Sequence, residues 1–374
     1  MNRRTALLAL ATAPLALSAL RPALADPAGL QTLEIGAEAP GFSLPGVDDR
    51  SYSREDFADA KVLVVVFTCN HCPTAQAYEA RLQKLHDDFK GKGVALVAIS
   101  PNDAAAVRLD ELGFTDVGDS FQDMKVRARD HKFTYPYLYD GATQAAAKAY
   151  GVLATPQVYV FDADRKLRYV GRFDDGEVKT PKSRDTINAV EALLAGKAVP
   201  VAKTRVFGCS TKWSDKRKDA AASLAKWDAE PVSLAPITDA GALALAKNET
   251  KKYRLVNLWA TWCGPCVAEL PELVTMNRMY RQRNFELVTI SMDEPEKREL
   301  ALKTLRENHV AATNYILKTD DRDKFGDALD KDWPGPVPYT LLIAPGGKVL
   351  YRKVGAVDPL EVRRAVVSVL GRTY

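Results

Sequence analysis

Hydrophobic positions fall twice into the same succession along the chain. Residues 61–68 (KVLVVVFT) form a continuous, β-branched apolar run, the pattern of a strand buried on both faces, and residues 254–260 (RLVNLWA) repeat it. A helical pattern follows each, over residues 75–89 and 267–283, and gives way to a second apolar run, VALVAI at 94–99 and FELVTI at 285–290. Strand, helix, strand in that order predicts a parallel βαβ unit in each half. Farther on, Gln157–Phe161 and Tyr339–Ile343 read as strands entered through Pro156 and Pro338. Each turns, at Asp162-Ala163-Asp164 and Pro345-Gly346-Gly347, into a partner run at 167–170 and Val349–Val354, so antiparallel hairpins are expected. Helical segments at 184–194 and Pro359–Leu370 close the two units. The repeat is one of architecture, with little literal identity. It predicts an α/β fold of two tandem units, each a central mixed sheet flanked by helices. We place them at 31–214 and 231–374, joined through 215–230, where a charged, alanine-rich helical stretch ends before Glu230-Pro231.

Composition agrees with two ordinary cores: 374 residues, 47% hydrophobic and 27% charged. The first 25 residues stand apart. Asn2-Arg3-Arg4 is a positive start, residues 6–20 are apolar, and Ala23-Leu24-Ala25 is a small-residue cleavage site, so a signal peptide cut before Asp26 is expected. A membrane anchor needs about 20 apolar residues, and this stretch is shorter and contains Pro14. The mature protein is therefore expected to be periplasmic, exported by the general secretory or the twin-arginine route, with no stable membrane insertion. Three arginines leave with the signal, lowering the formal charge of +4 to +1. That excludes a nucleic-acid footprint. The basic run 212–218 (KWSDKRK) reads as a solvated helix face.

Four of the five cysteines form two Cys-x-x-Cys pairs, Cys69/Cys72 and Cys263/Cys266, each directly after the first strand of its unit. Disulfide exchange needs one thiol ionised near neutral pH and a second close enough to resolve the mixed disulfide. At a helix N-terminus, free N–H groups and the helix dipole stabilise the thiolate. Cys69 and Cys263 are accordingly the expected nucleophiles, with Cys72 and Cys266 resolving. A structural disulfide or half of a zinc site are the alternatives, and zinc would need two further ligands that no nearby motif supplies. No cofactor beyond redox-active disulfides is expected, and no metal. His71, lying between the first pair, can carry a proton, stabilise the Cys69 thiolate and make that site the stronger oxidant, or it is a solvated loop residue. Glu269, three residues after Cys266, shares its helix face and could deprotonate the resolving thiol, or it is an ordinary first-turn glutamate. Ala75 takes the corresponding place after Cys72. Cys209 is either a third redox thiol or a buried free cysteine, and the burial tendency of free cysteine favours the latter.

The stretch Trp259-Ala260-Thr261-Trp262-Cys263-Gly264-Pro265-Cys266, with Pro271 and Val337-Pro338, resembles the thioredoxin family; Asn257 and Glu269 make it most similar to its exported TlpA/ResA-like thiol-disulfide oxidoreductases. The opening Ile35-Gly36-Ala37-Glu38-Ala39-Pro40-Gly41-Phe42 and the stretch Phe67-Thr68-Cys69-Asn70-His71-Cys72-Pro73 resemble redoxin domains of a peroxiredoxin-like subgroup. Gly171-Arg172-Phe173-Asp174-Asp175 and Gly208-Cys209-Ser210-Thr211-Lys212-Trp213 look like later segments of the same subgroup. The resemblance implies two thioredoxin-like folds and cis prolines at Pro156 and Pro338. It also implies that the backbone at Thr155 and Val337 pairs with a substrate chain, so that the partners are protein thiols or disulfides and a redox partner protein. Two rivals concern the first unit. It could be a thiol peroxidase, although Cys69 stands where peroxiredoxins carry a threonine three residues before the peroxidatic cysteine. Or it could be a non-catalytic partner-binding module, a reading prompted by the missing carboxylate near Cys72.

Overall fold

A computed structural model describes residues 29–319 and 321–374. The expected signal peptide lies outside the described residues. Among these, no helix is long and apolar enough to cross a membrane.

Two separate sheets carry the two units. In the first, five strands run in the spatial order Tyr137–Tyr139, Val94–Ser100, Val62–Phe67, Gln157–Phe161, Leu167–Gly171. The second has six: Ala235–Ile237, Thr313–Leu317, Phe285–Ser291, Tyr253–Trp259, Tyr339–Ile343, Val349–Val354. In each, the strand before the cysteines pairs in parallel with the next strand and antiparallel with the strand after the proline, so both expected βαβ units and both hairpins form. All six residues of Val62–Phe67 are buried, because helices cover both faces of the sheet and no side of the pleat meets water.

Helix α1 (Pro73–Phe89) buries Tyr78, Leu82 and Leu85 on one stripe, with Pro73 at its first position, where a missing N–H costs nothing. Helix α2 (Gly264–Tyr280) is buried over most of its last two turns, because it packs on its own sheet and also meets the first unit. There the Tyr280 hydroxyl donates to the Thr115 carbonyl at 2.8 Å, the Arg283 guanidinium donates to the Gly113 carbonyl at 2.9 Å, and Arg372 pairs with Asp116 at 2.6 Å. Between the units, helix Arg217–Asp228 buries Trp227 beneath Arg278 and Arg281. The run at 212–218 is not simply a solvated face: Lys212 is buried and pairs with Glu111 at 2.6 Å, while Arg217 pairs with Asp103 at 2.5 Å.

Candidate active site

The strand register gives the two units a common ruler. Phe67 pairs with Gln157, the residue after Pro156, and with Ile99; Leu258 pairs with Tyr339, the residue after Pro338, and with Ile290. Phe67 and Leu258 are therefore equivalent. Counting forward, Cys72 coincides with Cys263, and each is the N-cap of its 17-residue helix. A buried carboxylate sits at the same place in both: the Asn70 N–H donates to Asp119 at 2.9 Å and the equivalent Thr261 N–H to Asp293 at 2.9 Å.

The two Cys-x-x-Cys motifs are thus displaced by three residues. In the second unit the pair spans the N-cap and the first turn: Cys263 and Cys266 are joined in a disulfide, and the Cys266 N–H donates to Cys263 Sγ at 3.3 Å. In the first unit the pair lies upstream of the helix and ends on the N-cap. Cys69 coincides with Ala260, Ala75 with Cys266, and Tyr78 with Glu269. The expected equivalence of Ala75 with Glu269 is corrected accordingly, as is the placing of Cys69 at the helix terminus. Equal spacing in sequence conceals a helix that starts three residues later relative to its cysteines.

Thiol energetics in the first unit follow this placement. Burial opposes ionisation of Cys72, but hydrogen bonds from the Cys209 and Cys69 thiols, the nearby His71 charge and the Ala75 N–H hold it well below the ordinary thiol range. Cys69 is pushed well up by burial, then by its bond to Cys72 and by the Asp119 charge. Its sulfur lies 3.1 Å from Thr155 Oγ1, and Cys72 Sγ lies 3.3 Å from the Thr155 carbonyl. The Thr155–Pro156 bond is cis, as is Val337–Pro338, and Cys263 Sγ lies 3.7 Å from the Val337 carbonyl.

His71 is neither a solvated loop residue nor a support for Cys69. It is buried, its Nδ1 lies 2.6 Å from Asp119 Oδ2, and its charge acts on Cys72. Burial lowers the His71 pKa, but the Asp119 charge and hydrogen bond outweigh it and the net shift is upward. Asp119 was not foreseen from the sequence, since nothing in its spacing marks a carboxylate 48 residues beyond His71. It accepts from the Asn70 and His71 N–H groups on Oδ1 and faces His71 Nδ1 and Asn102 Nδ2 on Oδ2. Burial alone would push this carboxyl up; the His71 charge and these donations hold it low. Cys69, His71 and Asp119 could present ligand atoms within 4.8 Å of one another. With both Asp119 oxygens already doubly engaged, the trio reads as a buried hydrogen-bond network, since a carboxylate offers about four acceptor sites.

Glu269 is buried, accepting from Asn257 Nδ2 at 2.8 Å and from the Val357 N–H at 3.1 Å. Burial raises its pKa against those two donations, which removes it from the class of ordinary exposed glutamates. Cys209 is not a buried free cysteine. It is part-exposed, packs on the Cys69/Cys72 cluster and hydrogen-bonds Cys72; that bond, then burial, keeps its thiol protonated.

The units meet at the C-terminal end of α2, whereas Cys263 caps its other end; 17 residues at about 1.5 Å each place Cys263 about 25 Å along the helix from that contact.

Comparison with known proteins follows the same division. Residues 35–170 match the model described as the AhpC/TSA family, and residues 220–367 match the one described as Redoxin. A thiol-disulfide oxidoreductase ResA of Oceanobacillus iheyensis is 28% identical over 149 residues, 38% of this chain and 70% of that protein. A ResA of Bacillus cereus is 29% identical over 107 residues, 27% of this chain and 53% of that protein, so the chain spans little more than half of this relative. A solved structure described as an uncharacterized conserved protein from Geobacillus kaustophilus is 37% identical, covering 48% of this chain and 93% of that one, with a TM-score of 0.44. The expected class, a thioredoxin-like thiol-disulfide oxidoreductase, is the class of the named relatives.

Proposed function

From a chain that joins an AhpC/TSA-family domain to a Redoxin-family domain, both thioredoxin-like, we propose an exported enzyme that exchanges dithiols and disulfides with protein substrates, with Cys263 as the attacking thiol of the second domain. One observation carries this reading. The Cys263–Cys266 disulfide sits at the N-terminus of α2 with Cys263 against the carbonyl before cis Pro338, so once the pair is reduced the helix terminus stabilises Cys263 as the thiolate that attacks a substrate disulfide and expels one of its sulfurs. Cys266, wholly buried, resolves the mixed disulfide, and Glu269 takes its proton. Reduction of insulin disulfides by the full chain tests it: activity is expected to vanish in Cys263→Ser and to persist in Cys72→Ser. Loss only in Cys72→Ser would overturn it. Export is tested by sequencing the N-terminus of protein recovered outside the cytoplasm, with Asp26 as the expected first residue.

A second reading has its own observation. Cys72 is buried at a helix N-terminus, with its ionised form favoured and Cys69 donating from three residues upstream. That environment suits attack on a small peroxide, with water or an alcohol leaving and the resulting sulfenic acid condensing with a neighbouring thiol. Peroxide consumption that survives Cys69→Ser but not Cys72→Ser supports it.

A further inference from the structure

Residues Cys209–Ser210, preceded by Gly208, form a short strand paired antiparallel with Ala154–Thr155, in the register Thr155 with Cys209 and Ala154 with Ser210. This seats an extended piece of the chain against the backbone that precedes cis Pro156 and lays its cysteine on Cys72. The approach is close. A Cβ on Gly208, whose φ is +144°, would stand 2.0 Å from the Thr155 carbonyl oxygen, so only glycine lets the strand seat here. In the second domain the same edge is free: among the described residues no strand pairs with Val337, although Cys263 faces its carbonyl as Cys72 faces that of Thr155.

We infer that Cys209 is a built-in partner of Cys72, held on the edge beside cis Pro156, and that it carries the disulfide of the first site from the buried Cys69–Cys72 pair to the surface. This rests on the exchange chemistry proposed above. The step is internal. The Cys209 thiolate attacks the Cys72 sulfur of a Cys69–Cys72 disulfide; the Cys72–Cys209 bond forms and the Cys69–Cys72 bond breaks. Cys69 leaves as a thiolate and takes the proton that Cys209 gave up, so the number of disulfides is unchanged. Accessibility supplies the reason for it. Cys69 and Cys72 are 2% and 0% exposed, whereas Cys209 is part-exposed and is the one of the three that an external thiol can approach. Oxidation also primes the step, because the contact that keeps Cys209 protonated is chiefly its bond to the Cys72 thiolate and disappears once Cys72 is in a disulfide. The same strand excludes a substrate chain from the Thr155 edge, which among the described residues leaves Val337 as the open one of the two cis-proline edges.

The test uses the full chain carrying Cys263→Ser and Cys266→Ser, so that only the first site reports, together with Cys69→Ser. Exposed to oxidised glutathione, the part-exposed Cys209 forms a mixed disulfide and releases one glutathione thiol, and Cys72 displaces the second on forming the Cys72–Cys209 bond. After acid quenching and alkylation, peptide mapping is expected to find an intrachain Cys72–Cys209 disulfide in most molecules. Adding Cys72→Ser is expected to lengthen the life of the glutathione adduct at Cys209 at least tenfold. A persistent Cys209 adduct with Cys72 alkylated, or no reaction at Cys209, would overturn the inference. The Cys69→Ala chain repeats the measurement should Cys69→Ser fold poorly. Insulin reduction by the unmutated chain is read separately, so loss of that activity and absence of the Cys72–Cys209 bond are distinguishable failures.

Discussion

Cys72 and Cys263 occupy one structural position: both cap the helix that follows the strand leading into the cysteines, and both place sulfur beside the carbonyl preceding a cis proline. Their partners differ. Cys263 finds its second thiol inside the helix, whereas Cys72 finds one before the helix and another on the paired strand. On the proposed reading, the two domains share a reactive position and differ in how a disulfide formed there is resolved.

Gly208→Ala tests the seating of the strand. A Cβ 2.0 Å from the Thr155 oxygen forces the segment away, and overpacking of this kind costs about 1–3 kcal/mol. The denaturant midpoint is expected to fall, and the yield of Cys72–Cys209 disulfide with it. An unchanged yield would show that the strand does not position the thiol.

Cys209→Ala removes a donor to the Cys72 thiolate. The Cys72 pKa is expected to rise, so less thiolate absorbance remains at neutral pH. The folded Cys72 pKa lies below its unfolded value, so ionisation here contributes stability above the unfolded pKa, and that contribution is lost as pH falls through the folded one. The variant should show a weaker dependence of stability on pH over that window.

Asp119→Asn breaks a buried ion pair with His71 and should destabilise the chain by about 3–5 kcal/mol at low pH, as removal of one member of such a pair does. His71 has its pKa raised above 6.5 in the folded state, so its contribution is fully present below that value and is lost as pH rises through the folded pKa. The gap between wild type and variant should narrow over that rise. Denaturant midpoints from pH 5 to 9 measure it.

Glu269→Gln is expected to slow resolution at the second site by about a hundredfold, the lower end of what a general base contributes. The Glu269 pKa is raised by burial, so the wild-type rate should climb as pH passes above the ordinary carboxyl range, and the variant should lack that limb. Single-turnover decay of a Cys263 mixed disulfide reads this directly.

Much of the fold was legible because burial on both sheet faces writes itself as unbroken apolar runs, as at Val62–Phe67, and because prolines mark the entries of Gln157–Phe161 and Tyr339–Ile343. The second site was legible for a similar reason: Cys263, Cys266 and Glu269 lie on one helix, where spacing in sequence is spacing in space. The first site was misread because its chemistry comes from distant segments. Asp119 reaches His71 from another part of the chain, Cys209 arrives on a two-residue strand, and the helix begins after Cys72. Periodicity does not encode which end of a Cys-x-x-Cys meets a helix, because the residues around it follow no repeat. Register against Gln157 and Tyr339 does.

That Cys72, at the helix N-cap, and not Cys69 is the ionised thiol of the first unit is tested most directly by thiolate absorbance at 240 nm as a function of pH, on the full chain with Cys263 and Cys266 replaced by serine. The account predicts one thiolate at neutral pH that persists in Cys69→Ser and is abolished in Cys72→Ser. A thiolate lost in Cys69→Ser and retained in Cys72→Ser would contradict it.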